Sequence, residues 1–299
     1  LTPYIFEKGV YAMPETQNYW MMFYRTDILK ELETEAPDTW DDFYAVANVI
    51  MKANLKVGVP ENLQVFETLL MQNGAEMYTD DWTATRLDEQ AALSAFTEWT
   101  NLYVNYGFDM EFDALSRFRT GEMPIILHPY TFYNQLTVAA PEISGLWDMA
   151  PLPARAVRGT MSRVSSSSGT GSIIIKDTDQ LEDCWTFLRW WCGAQAQADY
   201  GVQIEAVLGP SARYTPANRQ AFEKIGWSAA EKRNLLTQWE QTKAFYNVPG
   251  KYYVSRCLTY AFRRVAIYYE NPRETLAKYN QQINAEITRK RKELGLYTK

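Results

Sequence analysis

The stretch NYWMMFYRTDILKELETEAPDTWDDF, residues 18–43, predicts a strand followed by two helices. Residues 19–24 are all aromatic or apolar, which is typical of a strand that is buried on both faces. A short helix is predicted over residues 27–32. Thr39 then stands where a side-chain hydroxyl can cap the start of a longer helix. A strand that leads directly into helices is the repeating unit of α/β folds.

Short strands and longer helices alternate through the rest of the chain. Gly121 separates a short helix from a predicted strand over residues 123–127. The β-branched run within residues 172–175 predicts another short strand. The helix that begins near Asp177 carries an apolar stripe, which is predicted to face inward: Leu181, Cys184, Trp185, Leu188, Trp191 and Cys192. The fold class is therefore predicted to be α/β.

Further helix starts are indicated by their capping residues. Asp88 is predicted to cap one helix, and Ser228 opens a capping box with the glutamate three residues later. Asn271, followed directly by proline, begins the last helix. Another helix is predicted over residues 260–269.

The charge and the rare residue types argue against several classes of site. The 299 residues carry a formal net charge of −6 without a basic face, which argues against nucleic-acid binding. The single histidine, His128, nearly excludes a histidine-based metal site. Three cysteines without a CxxC pair predict neither a disulfide framework nor a zinc knuckle. No run of about 18 apolar residues occurs, so no membrane-spanning helix is predicted.

Aromatic residues are unusually frequent, since 20 Tyr, 13 Phe and 10 Trp make up 14% of the chain. Tyr and Trp combine an apolar ring with a polar group, and they are common on binding surfaces. Most of these residues must pack in the core. The surplus nevertheless supplies the flat surfaces on which sugar rings stack.

Catalytic motifs are absent from the sequence. It contains no Gly-x-Ser-x-Gly elbow, P-loop or dinucleotide fingerprint. Serine–histidine catalysis would have to use His128, which is followed directly by proline. Glycoside hydrolysis needs two carboxylates at a set separation, and no spacing singles out a pair among Glu15, Glu67 and Glu205. A binding protein is therefore favoured over an enzyme, and no metal or other cofactor is predicted.

The order of the elements, together with several local patterns, resembles the family 1 extracellular solute-binding proteins of bacterial ABC importers. These patterns are similar to the family's hinge strand, its apolar strand ending in Tyr-Asn/Arg-x-Asp, its Pro-x-Thr-Trp helix start and its helix–glycine–strand element. The matching segments are GVYAMPE (9–15), MFYRTDIL (22–29), APDTWDDF (36–43), FRTGEMPI (118–125), IIIK (173–176) and CWTFL (184–188). The resemblance covers essentially the whole chain and lies in the shared order of these segments.

The resemblance implies a periplasmic-binding-protein-like fold of type II, in which two α/β lobes close on a ligand by hinge bending. This chain is expected to hold mostly the second lobe and a remnant of the first, because the family places most of the first lobe ahead of the hinge strand. A remnant without its partner sheet is expected to expose apolar side chains. The expected boundaries are 1–13 for the hinge strand and the end of the first lobe, 14–160 for the second lobe, 161–210 for a hinge crossing and the first-lobe remnant, and 211–299 for the return to the second lobe and the carboxyl-terminal helices.

Ligand contacts are expected where the chain crosses between lobes, near residues 10–13, 159–165 and 208–214. The candidate ligand-binding residues are Glu15, Tyr19, Trp20, Phe66, Glu67, His128, Tyr130, Arg163, Glu205, Arg213, Tyr253 and Arg256. Tyr130 stands where the resemblance places a stacking aromatic. Glu205 and Arg213 could instead pair with each other. One shared cavity is expected to hold Trp20, His128, Tyr130 and Tyr253.

The resemblance also implies the partners and the location of the protein. The ligand is expected to be a mono- or oligosaccharide, and the protein partner is the membrane permease of an ABC importer. The protein is expected to be a monomer outside the cell, anchored to the cell surface as a lipoprotein, or periplasmic in a diderm bacterium. This segment is expected to bind no nucleic acid and to insert into no membrane. Two alternatives stay open: a carbohydrate-active enzyme such as a glycoside hydrolase, which would release a product, and a non-catalytic interaction module, which would lack a small-molecule cleft.

Overall fold

Short strands alternate with helices throughout residues 2–6 and 9–296, which the computed structural model describes. The strands are Ile5–Phe6 (β1), Gly9–Val10 (β2), Met13–Pro14 (β3), Asn18–Arg25 (β4), Val57–Gly58 (β5), Ile125–Pro129 (β6), Trp147–Ala150 (β7), Arg155–Val157 (β8), Thr160–Ser162 (β9), Ser165–Ser168 (β10), Gly171–Ser172 (β11) and Thr242–Lys243 (β12). The helices are Thr26–Glu31 (α1), Trp40–Lys52 (α2), Leu63–Gln72 (α3), Gln90–Val104 (α4), Ala114–Thr120 (α5), Phe132–Ala139 (α6), Leu181–Trp191 (α7), Ala194–Leu208 (α8), Arg219–Phe222 (α9), Ala229–Trp239 (α10), Lys251–Ala266 (α11) and Pro272–Glu293 (α12).

Strand β4 is the centre of the main sheet. It pairs antiparallel with β6 along one edge, where Met22 lies opposite Leu127, and with β7 and β10 along the other. Strand β5 lies parallel to β6, and β12 lies parallel to β10 at the far edge. Residues 19–23 are each at most 3% exposed. The prediction of a strand buried on both faces is therefore confirmed.

Alternate residues of β4 contribute to two separate cores, one on each face of the sheet. Trp20 and Met22 pack with α2, α3, α4, α11 and α12 in the larger core. Tyr19, Met21 and Phe23 pack with α5, α6 and α10 in the smaller core. Helices on both faces of one sheet form a layered α/β arrangement, which confirms the predicted fold class.

Most helix starts follow the predicted capping residues. Thr39, Ser228 and Asn271 each accept a backbone N–H of the first turn through a side-chain oxygen. Helix α4 differs, because it begins at Gln90 and not directly after Asp88. Helix α11 also begins earlier than the predicted range 260–269, since its buried positions recur with helical spacing from Val254 onward.

Helices α7 and α8 contribute to neither core, and their apolar side chains are widely exposed. The prediction that the α7 stripe faces inward is wrong at Leu181 and Trp185, which are 56% and 40% exposed, whereas Leu188 and Cys192 are buried. The strand predicted over residues 172–175 ends at Ser172 (the end of β11), and Ile173 and Ile175, which follow it, are exposed. The reason is that neither core of the described residues includes a side chain of α7 or α8. The sequence pattern of α7 thus predicts an apolar face correctly, but part of that face is exposed.

Candidate functional site

A cleft of about 1020 Å³ lies beside β10 and β12 at the edge of the main sheet. Pockets for small molecules usually enclose about 300–1,000 Å³, so the cleft has room for a ligand of more than one ring. Its lining comes from α3, from the end of α10, from β3, β10 and β12, and from the segment that follows β12. These elements are far apart in the sequence, and the pairing of β10 with both β4 and β12 brings them together.

Three separate segments of the chain lie side by side along the cleft, at 14–17, 168–170 and 215–217. We call them the crossing segments. The backbone N–H of Glu15 donates a hydrogen bond to the carbonyl of Thr170 at 2.9 Å. The backbone carbonyl of Glu15 accepts a hydrogen bond from the N–H of Ala217, also at 2.9 Å. Residues of all three segments line the cleft. Each segment lies a few residues further along the chain than one of the ranges where the sequence predicts a crossing between lobes, and as crossings the segments stay predictions.

Glu67 is the one predicted ligand-binding residue that lines the cleft. Its side chain is half-buried, and a carboxylate oxygen accepts the hydroxyl of Ser166. Burial raises the pKa of Glu67 above its ordinary value, although the Ser166 hydrogen bond and the charge of Lys251 act in the opposite direction. The pKa of the neighbouring Tyr78 is also raised, mainly by burial of its hydroxyl and in addition by the negative charge of Glu67. The cleft therefore holds a strong hydrogen-bond acceptor in a partly dry position.

The formal charges around the cleft balance. The acidic side chains of the lining are Glu67, Glu76 and Glu240, and the basic ones are Arg219, Lys243 and Lys251. Arg219 and Glu240 pair at 2.8 Å, and the ammonium group of Lys251 donates to Asn247 at 2.8 Å. Amide side chains of Gln17, Gln64 and Asn247 add donors and acceptors without charge. Such a lining suits a neutral polar ligand better than a polyanion.

Sequence reasoning missed most of the cleft. Trp239, Lys243 and Tyr246 belong to the segment WEQTKAFYN, residues 239–247, which supplies eight of the residues of the lining. This segment mixes aromatic, amide and charged residues directly after the helix that opens with a capping box. Loops carried by rigid elements often hold binding residues, so that mixture was a usable signal.

Four of the predicted aromatic contacts lie in the cores and not in the cleft. Tyr19, Phe66 and Tyr130 are at most 1% exposed, and Trp20 is 3% exposed. The hydroxyls of Tyr19 and Tyr130 donate to backbone carbonyl oxygens, which satisfies them inside the protein. Trp20 reaches the cleft only through Gln64, which accepts its indole N–H at 3.1 Å. The physical reason is that helices cover both faces of β4 and β6, so residues on either face become core.

His128, Tyr253 and Arg256 also lie away from the cleft lining. His128 is half-buried against Phe132, with ring centroids 4.6 Å apart, and burial lowers its pKa. Arg256 lies over the ring of Tyr253 at 5.0 Å on α11. Within the described part of the chain, the residues expected to share one cavity do not line this cleft: Trp20, His128, Tyr130 and Tyr253.

The remaining predicted residues are held by contacts within the protein. The Nε–H of Arg213 donates a bifurcated hydrogen bond to both carboxylate oxygens of Glu205, each at 3.0 Å, so these two residues pair with each other. Arg163 donates to the backbone oxygen of Asp38 at 2.9 Å. Glu15 accepts a hydrogen bond from the hydroxyl of Ser172 at 2.7 Å. As ligand contacts these four residues stay predictions.

The family of the chain follows from a sequence match over its first two thirds. A family model described as bacterial extracellular solute-binding protein matches residues 1–198, which is more than half of the chain. This chain belongs to the bacterial extracellular solute-binding proteins. The resemblance drawn from the sequence motifs is thereby confirmed.

Solved structures share the fold of this solute-binding protein at low sequence identity. The sugar-binding protein MalE from Xanthomonas citri has a TM-score of 0.81 at 16% identity, with 99% of this chain and 75% of that chain covered. An ABC transporter solute-binding protein from Thermotoga lettingae bound to α-D-tagatose has a TM-score of 0.75 at 16% identity (95% and 74% covered). UgpB from Mycobacterium tuberculosis in complex with glycerophosphocholine has a TM-score of 0.70 at 14% identity (96% and 73% covered). No curated protein sequence matches the chain. These comparisons confirm the expected periplasmic-binding-protein-like fold.

The described part of this solute-binding protein contains neither a metal-binding cluster nor a membrane-spanning helix. Among the described residues, no cluster of three or more His, Cys, Asp and Glu side chains is placed to hold a metal ion. None of the helices in residues 2–6 and 9–296 combines the length and apolar character that crossing a membrane requires.

Proposed function

We propose that this solute-binding protein captures a neutral polar ligand, a mono- or oligosaccharide, and delivers it unchanged to the membrane permease of an ABC importer. The observation that carries the proposal is the cleft of about 1020 Å³, which lies along the three crossing segments and whose charged side chains balance. A neutral ligand can enter such a cleft without leaving a buried charge unpaired.

The chemistry of the lining fits a ligand with many hydroxyl groups. Glu67 accepts hydrogen bonds strongly, while Gln17 and Gln64 can each donate and accept. Trp239 offers a ring surface for the apolar face of a sugar, and its other contacts with Tyr19 and Phe222 hold the indole in position. Specific small-molecule sites typically contain a small number of polar groups whose directions are fixed by well-packed surroundings.

Capture is proposed to proceed by hinge bending about the crossing segments. Hydrogen bonds such as those of Glu15 tie the three segments into one narrow connection. A ligand that contacts both sides of the cleft binds the closed form more tightly, and it therefore shifts the population toward that form. The permease would then recognise the closed form.

The division into lobes at residues 1–13, 14–160, 161–210 and 211–299 is part of this proposal. Support comes from the apolar face of α7 and α8, on which Phe187 and Trp190 are 55% and 60% exposed. Apolar faces of this size usually mark a contact surface. The face is proposed to pack against the rest of a first lobe, since about a quarter of each solved neighbour has no counterpart in this chain.

The ligands of the neighbours help to choose between ligand classes. The Thermotoga lettingae protein is bound to α-D-tagatose, a Listeria monocytogenes protein is in complex with cycloalternan, and UgpB is in complex with glycerophosphocholine. The balanced charges favour the first two types of ligand for this chain. The protein is further proposed to act as a monomer outside the cell and to catalyse no reaction.

Thermal unfolding in the presence of candidate ligands tests the proposal. The panel is D-tagatose, maltose, maltotriose and glycerophosphocholine. A saccharide present at about 100 times its dissociation constant stabilises the folded state by about 2.7 kcal/mol, which raises the melting temperature by several degrees. The saccharide should be recovered unchanged when the mixture is analysed by chromatography. Release of a product would favour the glycoside hydrolase, and stabilisation by glycerophosphocholine alone would exclude the proposed ligand class.

A further inference from the structure

Tyr246 stands out in the cleft because one face of its ring is already occupied. It lies in the segment that follows β12 and lines the cleft with a half-exposed ring. The indole of Trp82 stacks on this ring with centroids 4.0 Å apart and an angle of 29° between the planes. A tyrosine clamped in this way cannot swing freely, so its orientation in the cleft is set before any ligand arrives.

The chain segment that carries Tyr246 is held firmly. Phe245 and Val248, on either side of Tyr246 along the chain, are buried in the larger core. Asn247 donates to the backbone carbonyl of Pro3 at 2.6 Å. The backbone of the segment is thus anchored on both sides of the residue that lines the cleft.

Trp82 is presented by a tight turn that uses an uncommon backbone conformation. Its φ is +54°, in the left-handed region that bulky side chains rarely adopt. The carboxylate of Asp81 ties the turn together by accepting hydrogen bonds from the hydroxyls of Thr79 at 2.6 Å and Thr83 at 2.9 Å, and from the backbone N–H of Thr83 at 3.2 Å. Strained conformations of this kind persist where the surroundings enforce them, and they are concentrated at functional sites.

We infer that Tyr246 is a stacking surface for a sugar ring in the cleft and that Trp82 is a positioning residue that acts through Tyr246. The inference rests on the proposed function. An aromatic plane held in advance binds a ring without losing side-chain freedom, so the affinity gained from stacking is retained. The turn at residues 79–84 then helps to set the affinity for saccharides, although Trp82 itself does not contact the ligand.

The experiment measures dissociation constants by calorimetry for D-tagatose, maltose and maltotriose. Trp82→Ala and Tyr246→Ala are each expected to weaken saccharide binding by about 5- to 20-fold, the range seen when a stacking partner is removed. The double variant should bind no more weakly than Tyr246→Ala alone, because Trp82 acts through Tyr246. Trp82→Phe and Tyr246→Phe keep the rings and should stay within about twofold of the unmodified protein. Melting temperatures without ligand show whether each variant is folded.

The matched control is Tyr106→Ala, which removes one ring of a stacked pair outside this cleft, Tyr44 with Tyr106 at 4.9 Å. It should leave saccharide affinity unchanged. Unaltered affinity in folded Trp82→Ala and Tyr246→Ala would overturn the inference while leaving the proposed function intact. Additive losses in the double variant would overturn the role of Trp82 as a positioning residue. If no saccharide binds the unmodified protein, the proposed function and this inference fall together.

Discussion

At the residue scale, the carboxyl group of Glu67 combines two properties that are rarely found together on an open surface. It lines the cleft, and burial raises its pKa. A half-buried carboxylate that accepts a hydrogen bond from the hydroxyl of Ser166 can also accept hydrogen bonds from hydroxyl groups of a ligand. The same raised pKa makes its acceptor strength depend on pH.

Saccharide affinity should therefore fall as the pH is lowered through the raised pKa of Glu67. Protonation removes the negative charge and turns an acceptor into a donor. Glu67→Gln should bind about tenfold more weakly at neutral pH, as expected for the loss of a charge-assisted hydrogen bond, and its affinity should not vary with pH. Calorimetric titrations between about pH 4.5 and pH 8 measure both effects.

The stability of the folded protein should change in the opposite direction. Because the folded-state pKa of Glu67 lies above the unfolded value, folding disfavours the charged form, and stability is regained as the pH falls through the folded pKa. Glu67→Gln lacks this dependence. The control is Glu31→Gln, which removes an exposed carboxyl of α1 outside the cleft and should keep the pH profile of the unmodified protein. A pH-dependent affinity in Glu67→Gln would show that another group is responsible.

Gly169 shows how closely the crossing segments approach one another. A Cβ atom at this position would lie 2.1 Å from the backbone oxygen of Thr16, which is closer than atoms can pack. Gly169→Ala should therefore lower the free energy of unfolding by roughly 1–3 kcal/mol, because one crossing segment must move. Urea unfolding measures the change. Gly226→Ala is the control, since no heavy atom lies within 4 Å of its added Cβ, and similar losses in both variants would contradict the close packing.

At the element scale, α7 has one buried residue beside two exposed aromatic residues. Leu188 is 8% exposed, whereas its neighbour Phe187 is 55% exposed and Trp190 is 60% exposed. An isolated amphipathic helix of this kind would be expected to turn its aromatic residues toward a core. Here only part of the apolar face of α7 packs against other described residues, and its aromatic side chains stay exposed.

Substitutions on the buried and on the exposed face of α7 should change the free energy of unfolding by different amounts. Leu188→Gln should lower the free energy of unfolding by about 2–4 kcal/mol, because a buried apolar side chain is replaced by a polar one. Phe187→Gln and Trp190→Gln should each change it by no more than about 0.5 kcal/mol, as is usual for exposed positions. Urea unfolding of the chain as it stands compares the three variants. Losses at Phe187 as large as at Leu188 would mean that this face is covered.

At the scale of the whole molecule, three chain segments lie side by side along one cleft, and the proposed function makes them the hinge. Opening and closing about the crossing segments would change the distance between the two sides of the cleft while leaving each side rigid. Small-angle X-ray scattering should therefore show a smaller radius of gyration when a binding saccharide is added. Glu67→Gln at the same saccharide concentration is the comparison, and it should compact less because less of it is occupied. An unchanged radius of gyration at saturation would argue against closure by hinge bending.

The sequence was sufficient for much of the fold but for little of the cleft. The apolar run at residues 19–24 and the caps at Thr39, Ser228 and Asn271 were recognisable because each depends on residues close together in the chain. The burial of Tyr130 was not recognisable for the opposite reason, since its ring packs against Tyr19, Phe222 and Trp227, which are distant in the sequence.

Periodicity, capping and motif order are local properties, and from them the sequence alone determined the α/β order of elements and the membership of the solute-binding family. Which aromatic residues are buried, and which polar residues face a ligand, depends on what packs against them. Glu67 and Lys243 line the same cleft only because β12 pairs with β10 at the edge of the sheet. Burial is set by contacts between distant segments, so the tertiary structure alone decided the composition of the site.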